Sequence, residues 1–168
     1  MQRRNLFKLG AASALVLALG GGAAVLFQAG LRYGKLTPAG REVFRAVGRA
    51  VLDGSLPAAG AQRETALDGL LERIDVLTFA LPTHAQDELS QLLALLASTP
   101  GRRTLAGLDT TWPLAPEAAL QQSLQGMRQS SLALRQQTYA ALHDITAAAY
   151  FSDASTWQQL GYPGPPEI

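Results

Sequence analysis

The 168-residue chain is long enough for one domain with a buried core, and it is rich in Ala, Leu, Gln and Arg but only 7% aromatic, a composition that favours an all-α fold. Residues 1–35 hold five basic and no acidic side chains, whereas residues 36–168 hold nine basic and thirteen acidic ones, which argues against nucleic-acid binding by the body. The absence of cysteine excludes disulfides, thiolate metal sites and thiol nucleophiles.

Residues 1–35 are predicted to be an export leader. Arg3-Arg4, then Asn5, the hydrophobic pair Leu6-Phe7 and Lys8 match the twin-arginine pattern, which a receptor recognises. An uncharged run of about 19 residues follows from Leu9 to Phe27, within the roughly 17–25 that can span a bilayer. A plain membrane anchor and a Sec-type signal are the alternatives. The three glycines at 20–22 lower both hydrophobicity and helix stability, which favours the export signal.

The leader also predicts a location. A small-x-small cleavage site is missing after the apolar run, because Ala12-Ser13-Ala14 lies within it, so both cleavage and retention stay open. We expect the body in the periplasm or at the periplasmic face of the inner membrane. The twin-arginine route moves folded proteins, often with a cofactor inserted. A cysteine-free helical chain does not need that route for itself, which indicates that it accompanies another protein.

Residues 36–151 are predicted to form a compact bundle of about five helices. The first begins at Thr37-Pro38, an N-cap followed by proline at the first helical position, and ends before the Gly and Pro residues of segment 53–57. Another face of this helix carries three arginines at i, i+4 and i+8. The apolar residues are Val43, Phe44, Val47 and Val51, and the arginines are Arg41, Arg45 and Arg49.

Four further helices follow, separated by Pro- and Gly-containing loops. We expect the second between about 63 and 80, the third at 85–98, the fourth from Pro116-Glu117 to about 126, and the last up to Phe151. A helical turn is predicted at 102–108, and Tyr33-Gly34-Lys35 is predicted as a loose joint. The expected inward residues are Leu67, Leu70, Leu71, Ile74, Leu77, Leu89, Leu92, Leu93, Leu96, Leu132, Tyr139, Leu142, Ile145 and Ala149.

No catalytic constellation emerges, so we predict that the chain is not an enzyme and carries no metal or cofactor. His84 lies near a helix start, and His143-Asp144 are adjacent on a helix, where side chains are expected to diverge by about 100°. Ser130-Ser131 lacks a nucleophile elbow, and no glycine-rich phosphate loop is present. A glutamine-rich face around 121–137 is either a solvated surface or a docking surface.

The closing segment, residues 152–168, is predicted to be a tail that packs on the bundle or on a partner. Tyr162-Pro163-Gly164-Pro165 suits a type II turn, with proline at i+1 and glycine at i+2. Trp157 and Tyr162 carry large aromatic side chains on a segment that is too short to form a hydrophobic core of its own. An ordinary C-terminal clasp and a partner contact are the two interpretations.

The leader and the ending together resemble one family, the small subunit (subunit 3) of gluconate 2-dehydrogenase-type complexes. The resemblance is carried by Arg3-Arg4-Asn5-Leu6-Phe7, by Ala149-Tyr150-Phe151 and by Thr156-Trp157 through Gly161-Tyr162-Pro163-Gly164-Pro165. Between about residues 38 and 145 the agreement is limited to helical pattern and to elements such as the segment 52–57. The Trp-x-x-x-Gly-Tyr-Pro-Gly-Pro ending is the more specific part, since the leader motif is common to many exported proteins.

The resemblance implies a companion role. In that family the large subunit binds FAD and oxidises an alcohol or sugar, a cytochrome c subunit often passes electrons on, and the small subunit carries the export signal. It implies that the twin-arginine translocase recognises Arg3, Arg4, Leu6 and Phe7. The partner-binding residues would be Tyr150, Trp157, Gly161, Tyr162, Pro163, Gly164 and Pro165.

Two other interpretations remain open. One is a stand-alone, membrane-tethered periplasmic helical module that binds a small ligand or an envelope protein. The other is an enzyme of unrecognised type. A neighbouring gene for a large flavoprotein without a signal sequence would favour the companion role over both.

Overall fold

The computed structural model describes residues 28–162, and these residues are mostly helical. The export motif and Pro163, Gly164 and Pro165 lie outside this range, so their predicted roles are not tested by it. The all-α prediction is confirmed for the described part. No helix within it is both long enough and apolar enough to cross a bilayer. The long helices are α1 Pro38–Val51, α2 Ala61–Phe79, α3 Thr83–Ala97, α4 Glu117–Arg128 and α5 Ala133–Phe151.

Shorter helical turns connect and follow these helices. Thr99–Gly101 continues directly into a π-helical turn at Arg102–Ala106, and a 3₁₀ turn at Trp112–Leu114 precedes α4. A second 3₁₀ helix, Ala154–Leu160, follows α5. The helical turn predicted at 102–108 is thus present. It is a π-helical turn, in which the Gly107 amide donates to the Arg102 carbonyl five residues earlier. Gly107 ends it with a φ of 69°, which is typical of a helix C-terminus.

Helix α1 lies at the centre of the bundle and packs against each of the other four long helices. Its start follows the sequence prediction, because the Thr37 hydroxyl accepts a hydrogen bond from the Gly40 amide at 3.4 Å and Pro38 occupies the first turn. Val43, Phe44 and Val47 are fully buried. The central helix therefore contributes apolar surface to its contact with each of the other four long helices.

A short β-hairpin precedes α1, in place of the loose joint predicted at Tyr33-Gly34-Lys35. Its strands are β1 Leu31–Arg32 and β2 Lys35–Leu36, paired antiparallel, with Leu31 opposite Leu36. The two turn residues, Tyr33 and Gly34, have φ values of 54° and 74°, as a tight two-residue hairpin requires. Leu31 and Leu36 are both buried, so the folded body includes Leu31, which belongs to the predicted leader.

Helix α5 corrects part of the predicted inward stripe. Leu142 and Ala149 are buried as expected, whereas Leu132 is 62% exposed. Leu132 precedes the helix in extended conformation, so helical periodicity does not set its direction. The remaining buried positions include Thr138, whose hydroxyl donates to the Leu134 carbonyl at 2.8 Å and is thereby satisfied within the helix.

Gly101 permits a close approach between the turn after α3 and that helix. A Cβ on Gly101 would lie only 2.0 Å from the Leu95 carbonyl oxygen, a backbone atom that cannot move aside cheaply. We expect Gly101→Ala to destabilise the protein by about 2–3 kcal/mol, the upper part of the range for overpacking. Chemical denaturation would measure the change.

Gly126, in the last turn of α4, is the matched control. A Cβ there would meet Arg135 Nη2 at 3.7 Å, an ordinary contact. Gly126→Ala is therefore expected to stabilise the protein by about 0.5–1 kcal/mol, because alanine is the better helix former. Equal effects of the two substitutions would contradict the close approach at Gly101.

Candidate partner interface

The segment after α5 folds back onto the end of that helix. Thr156 is buried, and its hydroxyl donates to the Asp153 carbonyl at 2.7 Å. The Trp157 ring is half-buried, and its Nε1 donates to the Phe151 carbonyl at 2.8 Å. The last turn of a helix leaves carbonyl groups without intrahelical partners. Trp157 therefore caps α5 with its polar edge while part of its ring stays accessible.

Tyr162 extends this arrangement at the surface. Its amide donates to the Trp157 carbonyl at 3.1 Å, a closure that Gly161 permits through its φ of 67°. The Trp157 and Tyr162 rings meet edge to face with centroids 5.4 Å apart, and Tyr162 is 47% exposed. We call Trp157 and Tyr162 the aromatic pair. The hydrogen bonds to the Phe151 and Trp157 carbonyls hold this pair against the end of α5.

An ion pair ties the base of this segment to α2. Arg73 Nε donates to the Ala149 carbonyl at 2.8 Å, and its Nη1 lies 3.1 Å from Asp153 Oδ2. Hydrogen bonds from Ser155 to Asp153 lower the pKa of this carboxyl below its ordinary value of 3.8, with a smaller contribution from the Arg73 charge against an opposing effect of burial. The ionised carboxylate thus orders the start of the segment.

The contacts of ionised Asp153 with Ser155 and Arg73 are predicted to weaken in acid. Because the folded-state pKa of Asp153 is lowered, its contribution to stability is fully present above about pH 4 and is lost as the pH falls through the lowered value. We expect the Trp157 indole N–H resonance to shift in that acid range, while Asp153→Asn removes the transition. A wild-type resonance that does not move, or an identical transition in the variant, would contradict this role of Asp153.

Tyr150 occupies a different position from the aromatic pair. Its side chain is 3% exposed, and its hydroxyl donates to the Ser55 carbonyl at 2.8 Å, which joins α5 to the loop after α1. The structure therefore brings together Trp157, Gly161 and Tyr162 among the residues predicted to bind a partner. Tyr150 supports the helix that carries them.

Comparison with known proteins identifies no relative of this chain. None of the protein-family profiles, curated proteins or solved structures matches this chain. The resemblance to gluconate 2-dehydrogenase small subunits therefore stays a prediction that depends on the leader, on Ala149-Tyr150-Phe151 and on the closing residues.

A second exposed apolar surface, which sequence analysis missed, lies where α2 ends against the hairpin. Tyr33, Val76 and Phe79 are 90%, 71% and 65% exposed. The Phe79 ring lies against the hairpin turn, since a Cβ on Gly34 would be 3.2 Å from it. Val76 and Phe79 lie outside the stripe of leucines that α2 buries in the core. Two apolar residues outside that stripe were the sequence signal that could have identified this surface. Clustered exposed apolar side chains mark interaction surfaces more often than isolated ones do.

The arginines of α1 serve the fold. Arg41 pairs with Asp75, and Arg45 pairs with Glu64 and Asp68, which clamps α1 to α2. Arg49 donates to the carbonyls of Trp112 and Ala115 at 3.2 and 3.3 Å. A groove of about 320 Å³ runs beside these side chains. Because most of their charge is already paired within the bundle, we assign them a structural role.

The two histidines do not assemble a recognisable site in residues 28–162. His84 is exposed in the first turn of α3. The predicted divergence of His143 and Asp144 is wrong, since Nδ1 lies 3.0 Å from Oδ1 and the imidazole stacks on Tyr139. These exposed side chains turn toward each other from adjacent positions. Within the described residues no group of three or more His, Cys, Asp or Glu side chains is placed to hold a metal ion.

Proposed function

We propose that this chain is the non-catalytic small subunit of an exported, FAD-dependent dehydrogenase of the glucose-methanol-choline class that oxidises an alcohol or sugar. In this proposal FAD belongs to the large subunit, and a cytochrome c subunit can complete the complex. The chain supplies the twin-arginine signal through Arg3, Arg4, Leu6 and Phe7 and supports maturation of its partner. The complex works in the periplasm or at the periplasmic face of the inner membrane, with the apolar leader either retained as an anchor or removed.

The observation that supports this function best is the fixed, half-exposed aromatic pair. Tryptophan and tyrosine are enriched among the residues that dominate interface energetics. The Trp157 Nε1 bond to the Phe151 carbonyl and the closure at Gly161 restrict this segment before binding. Because less conformational entropy is then lost on association, such a surface suits stable subunit contact.

The proposal can be tested by isolating the chain from its own cell envelope with its neighbouring genes present. An affinity tag inserted in the exposed loop at residues 58–60 avoids both the leader and the aromatic pair. We expect a large flavoprotein to co-purify in a fixed ratio, with its flavin absorbance. A chain that purifies alone, although such a flavoprotein is present in the same envelope, would contradict the proposal and favour a stand-alone module.

A further inference from the structure

A basic surface surrounds the π-helical turn that follows α3. Between residues 98 and 136 the chain holds four arginines and two acidic residues, although the body as a whole is acidic. One of the two acids, Glu117, is engaged by Arg63 of α2 at 3.1 Å. We call this surface the arginine end, and it consists of Arg102, Arg103, Arg128 and Arg135 with the loop between α4 and α5.

The guanidinium groups of the arginine end are only weakly compensated. Arg135 Nε donates to the Leu105 carbonyl at 2.9 Å, and its Nη2 lies beside Gly107 and Gly126, where a Cβ would be 3.9 and 3.7 Å away. Arg103 is 3.6 Å from the highly exposed Asp109. The Nε of the largely buried Arg102 has no acceptor among residues 28–162. Arg102 itself is buried, so an anion approaching this surface would meet the exposed Arg103 and Arg128 and the half-buried Arg135.

An exposed leucine projects from the same surface. Leu132 is 62% exposed and lies in the loop between Arg128 and Arg135. Arginines around a projecting apolar side chain suit the boundary between lipid headgroups and acyl chains. Basic side chains near an anionic bilayer contribute about 1 kcal/mol each to association.

The described chain begins beside the arginine end. Gln28 lines a groove of about 510 Å³ together with Ala97, Ser98, Thr99 and Pro100, which are separated from Arg102 only by Gly101. The hairpin turn lies at the other end of α3, where Gly34 meets Phe79 and Gln86. The sequence preceding Gln28 is the apolar run of the leader. A membrane-held leader would thus bring the arginine end, rather than the hairpin, toward the bilayer.

We propose that the arginine end binds the surface of a bilayer containing anionic phospholipid. The exposed guanidinium groups of Arg103 and Arg128 contact lipid phosphates, and Leu132 enters the interface. This orientation concerns the chain itself and does not depend on a flavoprotein partner. It adds to the proposed companion role by identifying the surface of the folded body that contacts the membrane.

Site-specific labelling of the full chain tests this orientation, and the absence of native cysteine makes single labels straightforward. An environment-sensitive nitrobenzoxadiazole label is placed at Leu132→Cys, with a matched label at the similarly exposed Val76→Cys on α2. The chains are incorporated into vesicles of phosphatidylcholine alone or of phosphatidylcholine with phosphatidylglycerol. We expect a blue shift and brighter emission at position 132 in the anionic vesicles, reversed by salt, and little change at position 76.

Charge variants separate lipid recognition from the effect of the leader. Arg103→Gln with Arg128→Gln is expected to lower the equilibrium constant for insertion of the 132 label by about thirtyfold, from the contribution of each basic residue near an anionic surface. Arg32→Gln with Lys35→Gln removes the same charge from the hairpin and is expected to leave the signal unchanged. All four side chains are exposed, so neither pair is expected to disturb the core.

Several results would overturn the inference. These are an unchanged 132 label in anionic vesicles, an equal response in neutral vesicles, an equal response of the 76 label, or equal effects of the two charge pairs. A response to soluble polyglutamate without any response to vesicles would assign the arginine end to an acidic protein partner instead.

Discussion

Replacing Arg3 and Arg4 together with lysine is expected to retain the protein in the cytoplasm. Lysine preserves the positive charge but not the planar guanidinium donors that a twin-arginine receptor recognises. Because the proposed role is to carry a folded passenger, the flavoprotein partner should be retained with it. Fractionation of cells into cytoplasm, membrane and periplasm, followed by detection of both chains, measures the effect.

The control for the export experiment makes the same chemical change elsewhere. Arg103→Lys with Arg128→Lys replaces two exposed arginines of the folded body and leaves the leader intact. Export of this variant should match that of the wild type. Normal periplasmic recovery of the leader variant would show that the arginine pair is not recognised, and the predicted route would then be wrong.

Tyr162→Ala is expected to weaken binding of the large subunit strongly while leaving the isolated chain folded. Tyr162 is 47% exposed and lies outside the hydrophobic core, so its removal is expected to leave the core packing intact. Truncation of an aromatic hot spot typically costs about 2 kcal/mol or more, which corresponds to about a thirtyfold loss of affinity. Trp157→Ala should lower both affinity and melting temperature, because this ring also caps α5 through the Phe151 carbonyl. Calorimetric titration and thermal unfolding of both variants separate the two effects.

A second exposed tyrosine provides the matched control for the binding experiment. Tyr33 is 90% exposed on the hairpin, and Tyr33→Asn keeps a residue type that tolerates its positive φ. This change should leave partner affinity unaltered. Loss of affinity in Tyr33→Asn but not in Tyr162→Ala would move the interface to the surface formed by Tyr33, Val76 and Phe79. A destabilised Tyr162→Ala chain with intact partner binding would show that the tail stabilises its own bundle and does not bind the partner.

The helices could be predicted because their signals are local. Thr37-Pro38 fixes the start of α1 through a cap and a preset φ, and Thr99-Pro100 follows the end of α3. The hairpin could not be predicted, because strands of two residues are too short to display an alternating pattern. Only the Tyr33-Gly34 turn marked it.

The pairing of side chains across the bundle was beyond local reasoning. Spacing placed Arg41, Arg45 and Arg49 on one face, but it could not identify the carboxylates of α2 or the Trp112 turn as their partners. Such pairings depend on how α1 and α2 pack, which the spacing within one helix does not encode.

The residue types of the candidate interface could be predicted from the sequence, whereas the directions and contacts of their side chains could be predicted only in part. Two large aromatic residues on a short tail indicated a surface that must pack somewhere, and Trp157 and Tyr162 do contact each other. The direction of Tyr150 could not be predicted, because it depends on the Ser55 loop passing beside the end of α5. The Asp153–Arg73 anchor likewise depends on α2 and α5 lying side by side.

The most direct test of the companion role is the location and flavin content of a large flavoprotein encoded beside this chain without a leader. It should be measured in cells that contain this chain and in cells that lack it. We predict periplasmic, flavin-loaded enzyme only when this chain is present, with the large subunit remaining in the cytoplasm otherwise. Equal amounts of flavin-loaded enzyme in the periplasm of both strains would contradict the account.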